Sequence, residues 1–320
     1  MAGMAKYLVK RIGFMSITLL LVTILTFIFT NVLPGNVAVL ILGPEATEES
    51  LQALEQQLGL NRPLYVQYLD WIVGLIQGDM GTSLRYGEPV AALIAEDLGK
   101  SFLLAGSATF VAVFLAVPLG VIASVYQNKW PDYLASTFAF AGISIPGFLW
   151  GLVLIFIFSL IFDIFPTSGY VPPSEDPIAT VHHLVLPASA LGFALTAYIM
   201  RMTRSSMLEV LKEEYIQLAE AKGLNERLVV TKHALRNAII PVITVIAFQF
   251  SYAFGGVVVI EEVFFWPGIG QLTLSAIENR DIPLIQGTVL IIALVFMISN
   301  LIADLLYAYF DPRIRYGADN

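Results

Sequence analysis

No cysteine occurs in the 320 residues. A disulfide framework and a thiol nucleophile are therefore excluded, while the redox compartment stays open. Charge is scarce as well, at 13 % of residues, against about 25 % in an ordinary soluble domain. So little charge cannot cover a soluble fold of this length, and with 57 % hydrophobic residues the chain reads as a membrane protein. The long apolar runs contain no lysine and no ionisable group at mid-depth. That removes the Ser–Lys and paired-Asp arrangements of an intramembrane protease. It also argues against an ion-coupled carrier, which places ionisable groups at mid-depth. A phosphate-binding loop is missing too. "LGKS" at 98–101 has Ile94 where the motif needs a glycine, so backbone N–H groups cannot cradle phosphate there. The chain is not its own ATPase. No internal repeat or low-complexity tract is present.

What the chain does have is six long uncharged runs: Ile12 to Leu33, Phe102 to Tyr126, Tyr133 to Phe162, Leu184 to Met200, Ile239 to Ile260 and Leu284 to Ala303. The first has 22 residues. At 1.5 Å per residue it makes about 33 Å of helix, enough for a hydrocarbon core of about 30 Å. Six transmembrane helices are expected, in an all-α polytopic membrane protein. Lys6, Lys10 and Arg11 precede the first run, which ends in "NVLPGN" and is too long for a signal peptide. It is read as an uncleaved first span. Pro118, Pro146, Pro187 and Pro241 punctuate the runs and predict bends.

Lys and Arg collect in cytoplasmic loops. With the N-terminus inside, segments 1–11, 127–132, 201–238 and 311–320 are cytoplasmic and hold 13 of the 17 basic residues. The outer segments hold only Arg62, Arg85, Lys100 and Arg280, against 16 acids, which accounts for the net charge of −8. Both termini are expected to be cytoplasmic. The chain then divides into a tail and first helix (1–33), an extracytoplasmic segment (34–101), a transmembrane core (102–310) and a C-terminal tail (311–320).

The outer segment contains "EATEESLQALEQQLGL", a helical pattern with acids at its start. "PLYVQYLDWIVGLIQGD" follows, its aromatic and apolar residues suited to a helix on the membrane surface. Residues 163–183 carry the loop signals "PTSGY" and "PPSEDP". His182 and His183 are adjacent there, and adjacent side chains point apart, so they are read as part of a wet loop rather than as a metal site. Asp304 lies near the inner end of the last span, where a water-facing or Arg-paired acid is expected.

The cytoplasmic segment 201–238 is the most informative. Leu208, Leu211, Tyr215 and Leu218 fall at steps of three and four and predict one helix face. Gly223 ends that helix as a left-handed cap. Asn225 caps a second helix carrying Arg227, Leu228, Val229 and Lys232. Two short helices joined by a glycine turn are therefore expected. Acids dominate the polar face of the first helix, unlike that of a lipid-binding helix, so the element reads as a docking knob for a cytoplasmic partner, with a solvated connector as the alternative.

These residues carry a resemblance. "EYIQLAEAKGL…KHALRNAIIPV" resembles the cytoplasmic loop of ABC importer permeases, and is closest to the dipeptide, oligopeptide and nickel branch. The general loop has Glu-Ala-Ala where this chain has Gln217, Leu218 and Ala219, and its tail differs at His233, Leu235 and Arg236. The peptide branch is similar to this chain at those positions. "GDMGTSL" (78–84), "RMTRSSMLEVL" (201–211), "VFFWPGIG" (263–270), "RDIPLIQG" (280–287) and "DPRIRY" (311–316) resemble the same branch in order. The long outer segment resembles the first of its two paired permeases.

The resemblance implies alternating access in a transport subunit that is not an enzyme. Its implied partners are a second homologous permease, two ATP-binding subunits docking on 201–238, and an extracytoplasmic solute-binding protein. ATP and Mg would sit in the partner subunits, and this chain would hold no cofactor. Glu213, Glu214, Tyr215, Leu218, Ala219, Glu220, Ala221, Lys222, Gly223 and His233 are the expected residues of coupling to the ATPase. The expected cargo is a di- or oligopeptide, with nickel, glutathione or an oligosaccharide as alternatives in the branch. A stand-alone secondary carrier or channel is the alternative from another class.

Overall fold

The computed structural model describes residues 2–32, 39, 42–43, 46–57, 59 and 61–310. "NVLPGN" after Asn31–Val32 and "DPRIRY" lie outside the described residues. In chain order the helices are α1 (Ala2–Val32), α2 (Glu48–Gln57), α3 (Leu64–Ile76), α4 (Val90–Val125), α5 (Trp130–Ser144), α6 (Gly147–Leu154), α7 (Pro177–Val210), α8 (Glu214–Ala221), α9 (Glu226–Leu228), α10 (Leu235–Phe264), α11 (Ile269–Glu278) and α12 (Ile282–Phe310). Wider π turns extend α6 over Ile155–Ile161 and join α9 to α10 over Val229–Ala234. Among the described residues the only strand-like pairing is a single bridge, Thr82 to Pro89.

Among the described residues, five stretches are long and apolar enough to cross a membrane: Val9–Asn31, Val90–Val125, Pro177–Val210, Glu226–Phe264 and Ile282–Leu306. The remaining expected span, Tyr133 to Phe162, is not one rod. The chain bends by 106° between α5 and α6. Pro146 has no amide hydrogen and forces Ile145 out of the helical region, to φ −99° and ψ 123°. Pro118, Pro187 and Pro241 stay inside their helices. The broken pair still joins opposite ends of the bundle. Asp132 of α5 meets Arg204, near the end of α7. Beyond the π turn, the Gly169 N–H donates to the Phe264 carbonyl at 2.9 Å, at the far end of α10.

The core forms where α4 and α7 run parallel. Ala105, Ala108, Ala112, Ala116, Gly120 and Ala123 recur along one fully buried stripe of α4. Small residues let backbones approach where lipid offers no hydrophobic drive. The approach is close enough that a Cβ on Gly120 would sit 2.6 Å from the Thr203 Cβ, and one on Gly192 2.8 Å from the Ala108 carbonyl. On the outer faces, Phe110 and Phe114 of α4 and Ile12, Ile17 and Phe29 of α1 are exposed, as lipid-facing residues are. α1 packs along α12 and is held near both ends. Arg11 pairs with Asp304 at 2.7 Å, so that acid is the Arg-paired one expected, and Gln286 Nε2 donates to Thr30 Oγ1 at 3.0 Å.

The outer segment folds as two helices in the expected places. Thr47 Oγ1 accepts from the Ser50 N–H and starts α2. In α3, Tyr68 and Trp71 turn onto Phe27 of α1, with ring centroids 5.4 and 6.2 Å away, while Leu69, Val73 and Ile76 stay exposed.

Candidate functional site

At one end of the bundle the chain leaves α7 at Val210, turns through 211–213, and makes α8. The expected continuous stripe through Leu208, Leu211, Tyr215 and Leu218 is therefore divided between two helices. Ile216 and Ala219 face inward instead, while Tyr215 and Leu218 are exposed. The physical reason is burial. Ile216 and Ala219 close over Met207, Val229, Ala234 and Ala238, with Val121 of α4 beneath, in a small core of their own.

Gly223 ends α8 as the sequence predicted, at φ +78°. Its N–H donates to the Glu220 carbonyl at 2.8 Å, and the Leu224 N–H reaches the Ala219 carbonyl at 3.3 Å. That pair of bonds is the Schellman arrangement, which a residue with a Cβ enters only under strain. Asn225 then accepts from the Arg227 N–H at 2.9 Å and starts α9. The expected second short helix is not separate. No glycine or proline interrupts 226–240, so α9 passes through the π turn straight into α10, and the hairpin's return arm is the first part of the next long helix.

Of the residues expected at a partner surface, Glu213, Glu214, Tyr215, Leu218, Glu220, Ala221, Lys222 and Gly223 are exposed along the hairpin. Ala219 is buried within it, and His233 is half-buried in the π turn. Tyr215 is steadied by Asn237, whose Nδ2 donates to its hydroxyl at 2.8 Å. Ser206 Oγ donates to the Ala238 carbonyl at 2.8 Å. The hairpin is thus bonded to α10 and packed against both long helices that carry it, which are bonded to each other.

Two acids that the sequence reading left without a role organise the opposite end. Glu261 is fully buried. It accepts from Ser101 Oγ at 2.5 Å, from the Gly270 N–H at 2.8 Å and from the Gln271 N–H at 3.2 Å. The acid thereby satisfies orphan amides at the start of α11 and ties them to α4. A Cβ on Gly268 or Gly270 would strike this carboxylate, which explains the glycines of "PGIG". Trp266, also fully buried, donates from Nε1 to the Lys100 carbonyl at 3.2 Å. Asp281 caps α12 and accepts from Ser83 Oγ at 2.5 Å and from the Arg85 N–H at 3.1 Å. This joins "GDMGTSL" to "RDIPLIQG". "LGKS" lies within α4. His182 and His183 lie in the first turns of α7, where their rings bond to the Ile164 and Ala179 carbonyls.

Between α5, α7 and α10 lies an open cleft of about 780 Å³. Near its floor Arg204 holds Asp132 through two bonds of 2.7 Å, Nε to Oδ1 and Nη2 to Oδ2. Tyr198 also borders a second cavity of about 270 Å³ under the break at Ile145, Pro146 and Gly147.

A multi-pass helical membrane protein with a capped hairpin at one end and a cleft along one side is the architecture of a transport permease. Residues 116–316 match the family described as binding-protein-dependent transport system inner membrane component, and residues 4–119 match its N-terminal membrane-component counterpart. The chain belongs to this family, and is an ABC importer permease, a transport subunit and not an enzyme. It is 42 % identical over 313 residues to the glutathione transport system permease protein GsiC of Escherichia coli strain CFT073, covering 98 % of this chain and all of that protein. The same identity and coverage hold for GsiC of Salmonella typhimurium strain LT2. The fold is similar to the inward-facing MetNI methionine ABC transporter, with a TM-score of 0.55 and 17 % identity, over 68 % of this chain and 96 % of that one.

Proposed function

We propose that this chain is the first of two homologous permeases in an importer of short peptides, driven by two ATP-binding subunits that dock on the hairpin. The observation that carries this reading is the hairpin itself. Its own core and cap hold it to α7 and α10, while the face of α8 that carries Glu214 and Glu220 is left exposed. A cytoplasmic ATPase pair would grip that face, with ATP and Mg bound in the ATPases. The hairpin end is cytoplasmic on the charge argument, because it carries most of the chain's Lys and Arg. The broken α5–α6 pair counts as the third of six crossings, since its two ends meet opposite ends of the bundle. Both termini are then cytoplasmic, and 34–101, 163–183 and 261–283 face outward toward a solute-binding protein. Glutathione is itself a tripeptide, so the name of the relatives supports a peptide-like cargo over nickel or an oligosaccharide.

The test is reconstitution with the second permease, the ATPases and the binding protein. ATP should drive uptake of labelled trialanine or glutathione, and omission of the ATPases should abolish it. Uptake by this chain alone under an ion gradient would replace the reading with a secondary carrier.

A further inference from the structure

Tyr198, Arg201 and Arg204 stand at successive steps of three on α7 and follow one face of it. That face lines the larger cleft, whose single acidic residue is Asp132. Asp132 is fully engaged by Arg204, by the Asn128 N–H at 3.0 Å and by Ser136 Oγ at 3.3 Å. Arg201 has no carboxylate partner among the described residues. Its guanidinium lies over the ring of Phe140, 5.9 Å from the centroid. One positive charge is therefore left uncompensated in the cleft. Across the cleft on α10, Gln249 is a lining residue, and its buried Nε2 has no hydrogen-bond partner. Arg201, Tyr198 and Gln249 line one space. Donors of this kind suit a ligand that only accepts, and a guanidinium matches an oxyanion through two parallel bonds. Tyr198 also lines the second cavity, which borders the non-helical backbone at the break between α5 and α6, and such backbone is tolerated in a membrane where it faces protein or water.

We propose that Arg201, with Tyr198 and Gln249, is an anion-binding subsite on the cargo path, and that it takes the carboxylate of a peptide-like cargo. The proposal rests on the importer reading above. The other source of the same chemistry is a lipid phosphate, and the experiment separates the two.

Because the chain has no cysteine, Ser205→Cys places one thiol on the cleft wall, one turn from Arg201. In the complex with its ATPases in phosphatidylcholine vesicles, an anionic methanethiosulfonate should modify it about fivefold faster than a cationic one, as one unit charge nearby requires. Arg201→Gln in this background should bring the ratio near one. Adding phosphatidylglycerol should leave intact the difference in that ratio between wild-type Arg201 and Arg201→Gln, each measured in the same vesicles so that the lipid surface potential cancels. Loss of that difference would mean that lipid phosphate occupies Arg201, and would overturn the proposal.

The second arm compares uptake of trialanine with that of trialanine amide. Both use the same binding protein, so the acid-to-amide ratio in wild type and variant cancels its selectivity. Arg201→Gln should lower that ratio about tenfold, the worth of one charged hydrogen bond, and Arg201→Lys should largely restore it. Equal ratios in wild type and Arg201→Gln would overturn the subsite and leave the importer standing. Failure of the wild-type complex to take up either peptide with ATP would overturn both.

Discussion

Replacing Gly223 by valine isolates the hairpin's contribution. A Cβ at Gly223 meets nothing within 4 Å, so crowding adds no cost. The cost is conformational: φ is +78°, and an L-residue held there loses about 1–2 kcal/mol, with a β-branched one at the upper end. About 1.4 kcal/mol is a factor of ten in population, so the capped hairpin should give way to alternatives by roughly five- to thirtyfold. The two cap bonds, to the Glu220 and Ala219 carbonyls, then break together. Asparagine tolerates the left-handed region and serves as the control. Gly223→Val should reach the membrane at near-normal levels, because the hairpin core is separate from the core between α4 and α7. Its ATPase should co-purify poorly, and ATP-driven uptake should fall sharply, while Gly223→Asn keeps both. If valine and asparagine behave alike and like wild type, the hairpin is only a connector.

Single cysteines at Glu49, Ser174 and Glu278 should react with an impermeant reagent added outside intact cells, while one at Glu220 stays silent. Labelling at Glu220 would invert the topology. Glu261→Ala leaves the Ser101 hydroxyl and the Gly270 and Gln271 N–H groups short of an acceptor, at about 1–3 kcal/mol for each buried donor. A thermal-shift assay in detergent should therefore rank it well below Glu261→Gln, and equal melting would refute the clamp. Gly120→Val should destabilise by about 1–3 kcal/mol through overpacking against Thr203, read in the same assay.

The sequence made Gly223 and Asn225 legible because each cap is a local bargain between one residue and its immediate amides. The bent α5–α6 pair was only half legible. Its apolar length and Pro146 were visible, but hydropathy carries no direction, so a 106° turn reads the same as a straight rod. The stripe through Leu208 to Leu218 failed for a different reason. The helix ends at Val210 with no glycine or proline at 211–213, and Ile216 and Ala219 form an equally good step of three. Glu261 and Asp132 drew no role from the sequence. Their partners lie 160 and 72 residues away, a separation that no periodicity reports.

The hairpin's private core has a mechanical consequence. An appendage on slack tethers would absorb any force applied to it, but this one is packed against the ends of two long helices and bonded to α10. α7 has 34 residues, roughly 50 Å of rod. Rotating the hairpin by about 5° carries the other end of such a rod through roughly 4 Å, comparable to the rise of a helical turn. The chain is therefore built as a lever whose short arm is α8 and whose long arm runs past the cleft, so that small displacements applied at the hairpin become large excursions at the opposite membrane face.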